Sequence, residues 1–211
     1  MRVAILSESP ADEAAVRILV EAVLGHSIEV VPRRRRAGGV GAAFKSLPPV
    51  LKELQYRRTA EALVFVVDSN GTPVHPGGGG EACEAGDACR LCRARRIVRE
   101  VRASLRPMSD YPPIRVALGL AVPQIEAWYL CGSDPNVSEN AWVQAMAEGR
   151  PLYRRGELKE LVYDTDRPAL ELETRRATEE MTRVAADLPG LERKFPVGFG
   201  ALRRDLHAWR A

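Results

Sequence analysis

The sequence predicts an α/β protein with a central parallel sheet flanked by helices, and three observations carry that expectation. Short apolar runs of strand length occur at 3–6, 28–31, 63–67 and 114–122. Segments with apolar residues at three-to-four spacing fall between them. Turn-forming clusters of Gly, Pro, Ser and Asn punctuate the joins. Regular alternation of strand and helix favours parallel strands connected by right-handed crossovers.

The elements follow in order. After the first run, Ala14, Ile18, Leu19, Ala22 and Val23 mark a helix that closes at Gly25. The second run leads through "RRRRAGGVGAAF", a basic, glycine-rich turn, into a helical stretch that Pro48 and Pro49 are expected to interrupt. The third run is the most apolar and enters "DSNGTP" directly. Residues 72–92 read as a glycine- and cysteine-rich insertion, because four successive glycines at 77–80 suit neither helix nor strand. A helix resumes near Leu91, with Leu91, Val98, Val101 and Leu105 inward and arginines opposite. The fourth run stops at Pro123, and "QIEAWYL" reads as helical. From 132 onward charged helical patterns take over, including 169–188, and the closing "FPVGFGALRRDLHAW" carries apolar residues able to dock on the core. The chain therefore divides into an α/β domain at 1–131 and a helical C-terminal extension at 132–211 packed on it.

Composition narrows the classes. With 211 residues, 45% of them hydrophobic and 28% charged, the chain can bury one substantial core with an appendage. No run approaches the roughly 18 apolar residues of a membrane span, and the N-terminus enters strand-like sequence without a signal-peptide pattern. The expected location is cytoplasmic, which makes the four cysteines reduced thiols or metal ligands. A net charge of +3 decides little. Local positive fields matter more: Arg33, Arg34, Arg35 and Arg36 are contiguous, and Arg95, Arg99, Arg102 and Arg106 recur at helical spacing. The G-K-[ST] of a Walker motif and the G-x-S-x-G elbow of a serine hydrolase are both missing.

Acids at strand ends give the sharpest signal. Glu8, Asp68 and Glu126 each lie just past the carboxyl end of a predicted strand, the edge where parallel sheets bind ligands. Taken singly, Asp68 suits a turn cap, Asp12 a helix start and Glu126 a solvated first helical turn. Gathered in one cleft, carboxylates repel one another unless a cation or a proton intervenes. A hard divalent ion answers that need, and Mg²⁺ bound by few carboxylates keeps sites for phosphate oxygens.

Three motifs carry a family resemblance. "SESPADE" resembles the E-G-x-x-D/E start of Toprim domains, "VFVVDSNG" their D-x-D signature, and "VPQIEAWYL" the I-E-A-W element of small Toprim-like proteins often associated with phage defence. Order and spacing agree over residues 1–131. The resemblance implies a Mg²⁺- or Mn²⁺-dependent nuclease acting on DNA or RNA, with Glu8, Asp68 and Glu126 catalytic and metal-holding, Asp12 and Asn70 assisting, and a partner protein of a defence system. Two departures stand out: Ser9 replaces the glycine, and Asn70 replaces the second aspartate. The alternative is a noncatalytic nucleic-acid-binding or assembly subunit with a degenerate site.

Two further sites are expected. His75, Cys83, Cys89 and Cys92 form H-x7-C-x5-C-x2-C, a spacing compatible with structural Zn²⁺, with Cys131 or Asp87 as alternatives to His75. A bound ion would order a segment too poor in apolar residues to order itself. Arg33 to Arg36, followed by Gly38, Gly39, Gly41 and Lys45, form a candidate cradle for a nucleic-acid backbone.

Overall fold

Four parallel strands in the order β2-β1-β3-β4 form the centre of the computed structural model, which describes residues 1–32, 38–76, 83–106, 111–154 and 156–210. The strands are β1 (Arg2–Leu6), β2 (Glu29–Val30), β3 (Ala62–Asp68) and β4 (Arg115–Ala121). Between them run helices α1 (Pro10–Leu24), α2 (Val40–Arg57) and α3 (Arg90–Ser104). After β4 come α4 (Ile125–Tyr129), α5 (Glu139–Ala147), α6 (Glu157–Tyr163), α7 (Leu170–Ala185), α8 (Leu188–Lys194) and α9 (Gly198–His207). No described helix is long and apolar enough to cross a membrane.

Period-two alternation splits the core into two layers. Val3, Ile5, Val64 and Val66 face a layer completed by α1, α4, α7 and α9. Ala4, Leu63, Phe65 and Val67 face the other, completed by α2 and α3. The chain leaves β1 toward β2 on one side, and β3 then pairs with β1 on the other. The direction of winding thus reverses between β1 and β3, which opens a crevice at their carboxyl ends. Glu8 and Asp68 are the residues that leave the strands at this crevice.

Local signals explain the helix ends. Ser9 caps α1 through a capping box: its hydroxyl accepts from Asp12 N at 3.1 Å, and Asp12 Oδ2 accepts from Ser9 N at 2.8 Å. Gly25 ends the helix in the left-handed conformation, φ 76°. The expected break at Pro48 and Pro49 does not occur: α2 is one helix of 18 residues. Phe44, Leu47, Val50, Leu51 and Leu54 keep one buried stripe through the prolines, and this burial offsets two missing amide donors. The helix expected over 169–188 is also shorter, because Asp187 caps a new helix that starts with Leu188 and Pro189.

The C-terminal helices build core. Helix α7 packs along α1, and α9 lies along β4. Trp128 is fully buried between Phe195 and Phe199, with ring centroids 6.4 Å and 5.9 Å away in edge-to-face geometry. On the outer edge of β4, Leu118 N donates to Asp205 Oδ2 at 2.9 Å, so the strand's free edge is partly capped. Gly198 permits the approach of α9, since a Cβ there would sit 1.8 Å from Leu120 O. The Glu139 carboxylate accepts from Val197 N and Gly198 N at 2.8 Å and 2.6 Å, fixing the same helix start.

Candidate functional site

At the carboxyl edge of the sheet, Glu8, Asp12, Asp68 and Glu126 line one cavity of about 320 Å³. Elements distant in sequence supply them. Glu8 follows β1, Asp12 lies in the first turn of α1, Asp68 ends β3, and Glu126 is in the first turn of α4.

Helix N-termini hold three of these acids in place. Glu8 Oε1 accepts from Asp68 N at 3.0 Å, and the Val40 amide at the start of α2 draws the Glu8 carboxyl downward against the effect of burial. Asp68 Oδ1 accepts from Ile125 N at the start of α4, 2.9 Å away. Asp12 is bound by Ser9 N, the cap of α1. Amides with no helical partner therefore donate to the carboxylates, and the helix dipoles favour negative charge there.

That support is incomplete. Burial pushes Asp12 up to about 7, with the Glu126 charge the next contributor. Burial also drives Asp68 well above the ordinary carboxylate range, reinforced by Glu8 and Glu126. Glu8 is raised by burial against the pull of the Asp68 amide, and Glu126 is raised by burial against the pull of Lys159. Four acids raised together describe a cavity short of positive charge.

Two charged residues that line the cavity, Lys159 and Glu173, went unmarked in the sequence. Lys159 Nζ of α6 lies 3.7 Å from Glu126 Oε1 and 3.2 Å from Glu173 Oε1 of α7. Burial pulls the Lys159 ammonium down, but Glu126 and Glu173 together outweigh it and leave it raised, hence charged. The Tyr163 hydroxyl is buried beside Glu126, and its proximity pulls the Glu126 carboxyl down against the effect of burial. Asn70 lines the cavity at its border, with φ 46°, and its Oδ1 accepts from Gln124 Nε2 at 3.1 Å. Asparagine tolerates that left-handed backbone better than most residues.

A second centre lies behind β3. His75 Nδ1 and the sulfurs of Cys83, Cys89 and Cys92 all fall within 4.8 Å of one another. Cys83 Sγ to Cys92 Sγ is 3.4 Å, Cys92 Sγ to His75 Nδ1 is 3.2 Å, and Cys89 Sγ to His75 Nδ1 is 4.0 Å. Tetrahedral zinc with bonds of about 2.3 Å to sulfur needs ligand separations of roughly 3.5–3.8 Å. The four residues fit such an ion with small adjustments. Among the described residues, this set alone has its ligand atoms already at single-ion distance; the carboxylates are spread around a roomier cavity.

The alternatives to His75 are excluded. Cys131 is buried in the opposite core layer, and Asp87 is held by Arg96 through bonds of 2.8 Å and 2.7 Å. His75 Nε2 is 3.2 Å from Arg95 Nη1. An ion on Nδ1 leaves the ring proton on Nε2, so Arg95 must then turn to another acceptor. Cys89 precedes α3, and the next residue, Arg90, donates from Nη1 to Asp68 O at 2.6 Å. The two centres are therefore joined through one residue.

The expected polyanion cradle falls largely outside the described residues. Arg33, Arg34, Arg35 and Arg36 lie outside the described residues, and Lys45 is exposed on α2. Comparison with known protein families, characterised proteins and solved structures finds no match.

Proposed function

We propose that the chain is a divalent-metal-dependent nuclease that hydrolyses phosphodiester bonds, with Mg²⁺ or Mn²⁺ at the carboxylate cavity and a structural Zn²⁺ at the Cys/His cluster. One observation carries the reading: Glu8, Asp12, Asp68 and Glu126 share a cavity at the switch point of a parallel sheet, and burial holds all four carboxyls above their ordinary range despite the cations nearby. Glu8, Asp68 and Glu126 would hold the ion, with Asp12 beside them. When bound, a hard divalent ion supplies Lewis-acid charge and lowers the pKa of water. The spare volume suits an ion that keeps several of its waters.

The protein's own groups do the rest. The Asp68 and Ile125 amides fix the directions of Glu8 and Asp68, so their geometry precedes binding. Lys159 steadies Glu126 and would bring positive charge to a cavity that a phosphate group enters. Similarity of "SESPADE", "VFVVDSNG" and "VPQIEAWYL" to Toprim motifs agrees with this reading and with a role in phage defence beside a partner protein. Lys45, with Arg33 to Arg36, would attract the backbone of DNA or RNA without selecting its sequence.

A noncatalytic, nucleic-acid-binding subunit is the second reading. Two observations favour it: Asn70 brings no charge and its oxygen is engaged by Gln124, and Lys159 already pairs with Glu126. The test is cleavage of single- and double-stranded DNA and RNA in Mg²⁺ or Mn²⁺. Wild-type cleavage is expected to fall roughly a hundredfold or more in Glu8→Gln. Cleavage that survives in the variant overturns the nuclease reading, and tight binding without cleavage in either ion establishes the second.

A further inference from the structure

Next to the acidic cavity lies a second hollow, of about 560 Å³, whose lining includes Trp142, Met146, Pro151 and Tyr153. Asn70 and Gln124 line both spaces and so form the wall between them. Resting on the nuclease reading, we propose that this hollow is a subsite for one nucleobase of the bound strand, adjacent to the phosphate at the carboxylates.

Chemistry and placement both support that occupant. The volume is in the range of small-molecule pockets. Trp142 and Met146 are four residues apart on α5 and both line the hollow; Trp142 is largely buried in the core beneath it, and Met146 remains 38% exposed although apolar. A base has flat apolar faces and a hydrogen-bonding edge, and the hollow has the matching pair of surfaces. Its apolar lining is aromatic and aliphatic, and its shared wall is made of two side-chain amides. Because Gln124 Nε2 donates to Asn70 Oδ1, the amides fix each other, and that bond leaves Gln124 Oε1 as an acceptor and Asn70 Nδ2 as a donor for a ligand edge. An aliphatic lipid or an apolar peptide side chain would leave those amides unmatched. A strand whose phosphate is held through a divalent ion at the acids has the hollow as its neighbouring space, since the two share a wall. The hollow would therefore supply base preference, which the carboxylates cannot.

The test uses the full chain with Ca²⁺ in place of Mg²⁺, and single-stranded oligonucleotides in which one abasic residue is moved through the sequence. Binding is read by fluorescence anisotropy. An abasic residue at one position is expected to weaken binding about tenfold, with little effect elsewhere. Met146→Ala, at a half-exposed site that does not threaten folding, is expected to weaken the intact strand several-fold and the strand abasic at that position hardly at all. A scan that is flat at every position overturns the subsite and leaves the nuclease reading standing. A position-dependent loss with no cleavage in Mg²⁺ or Mn²⁺ keeps the base subsite and overturns the catalytic reading. Failure of every nucleic acid to bind overturns both.

Discussion

Asp12 serves two structures at once. Its Oδ2 closes the capping box with Ser9, and its carboxylate belongs to a cavity where burial, then Glu126, pushes it up to about 7. The sign of the consequence follows from linkage. A folded-state pKa raised above the unfolded 3.8 means that the fold holds a proton between about pH 4 and 7 that the unfolded chain has released. The stability contribution is full below pH 4 and is lost as pH rises toward 7. Glu8, Asp68 and Glu126 shift in the same direction. A divalent ion that replaces these protons should raise the melting temperature more at pH 8 than at pH 5, as measured by thermal unfolding with and without Mn²⁺. An equal gain at both pH values would place the ion away from these acids.

Helix α3 is the element on which both centres depend. Cys89 stands at its N-cap, Cys92 is in its first turn, and Arg90 between them bonds to Asp68 O. Purified protein should contain one equivalent of zinc by elemental analysis, and Cys92→Ser should lose it. Chelation should expose the segment around Gly86–Ala88 to proteolysis, because the ion substitutes for apolar burial there. Protein that is free of zinc yet equally protected would defeat the assignment. Helix α2 teaches a related lesson: two prolines costing about 3 kcal/mol each in a helix interior do not break a helix whose buried stripe continues beyond them.

Across the whole molecule, the segment after residue 131 is needed to close both the core and the acidic cavity. Phe195, Phe199, Leu202 and Leu206 are fully buried, and Lys159 and Glu173 come from the same segment. A fragment ending at residue 131 exposes α1, the outer edge of β4 and Trp128 together, and is expected to lack a cooperative thermal transition by circular dichroism. A sharp transition in that fragment would make the C-terminal helices an appendage to an independent domain.

Much of this protein was readable along the chain, because it depends on neighbours in sequence. Short apolar strand runs, the helix between β1 and β2, and the position of Glu8, Asp68 and Glu126 at or beyond strand ends all follow from local pattern. The H-x7-C-x5-C-x2-C spacing likewise pointed to the cluster that forms. Only the tertiary structure decided which distant groups share a space. Glu173 is one of several acids on α7, with Glu171, Glu179 and Glu180, and the docking of α7 along α1 selects the one that enters the cavity. Lys159, the partition between the two hollows and the retention of His75 over Cys131 have the same origin. Local sequence fixes the direction a backbone takes over a few residues, but whether two side chains meet depends on how whole layers pack, which no short window of sequence contains.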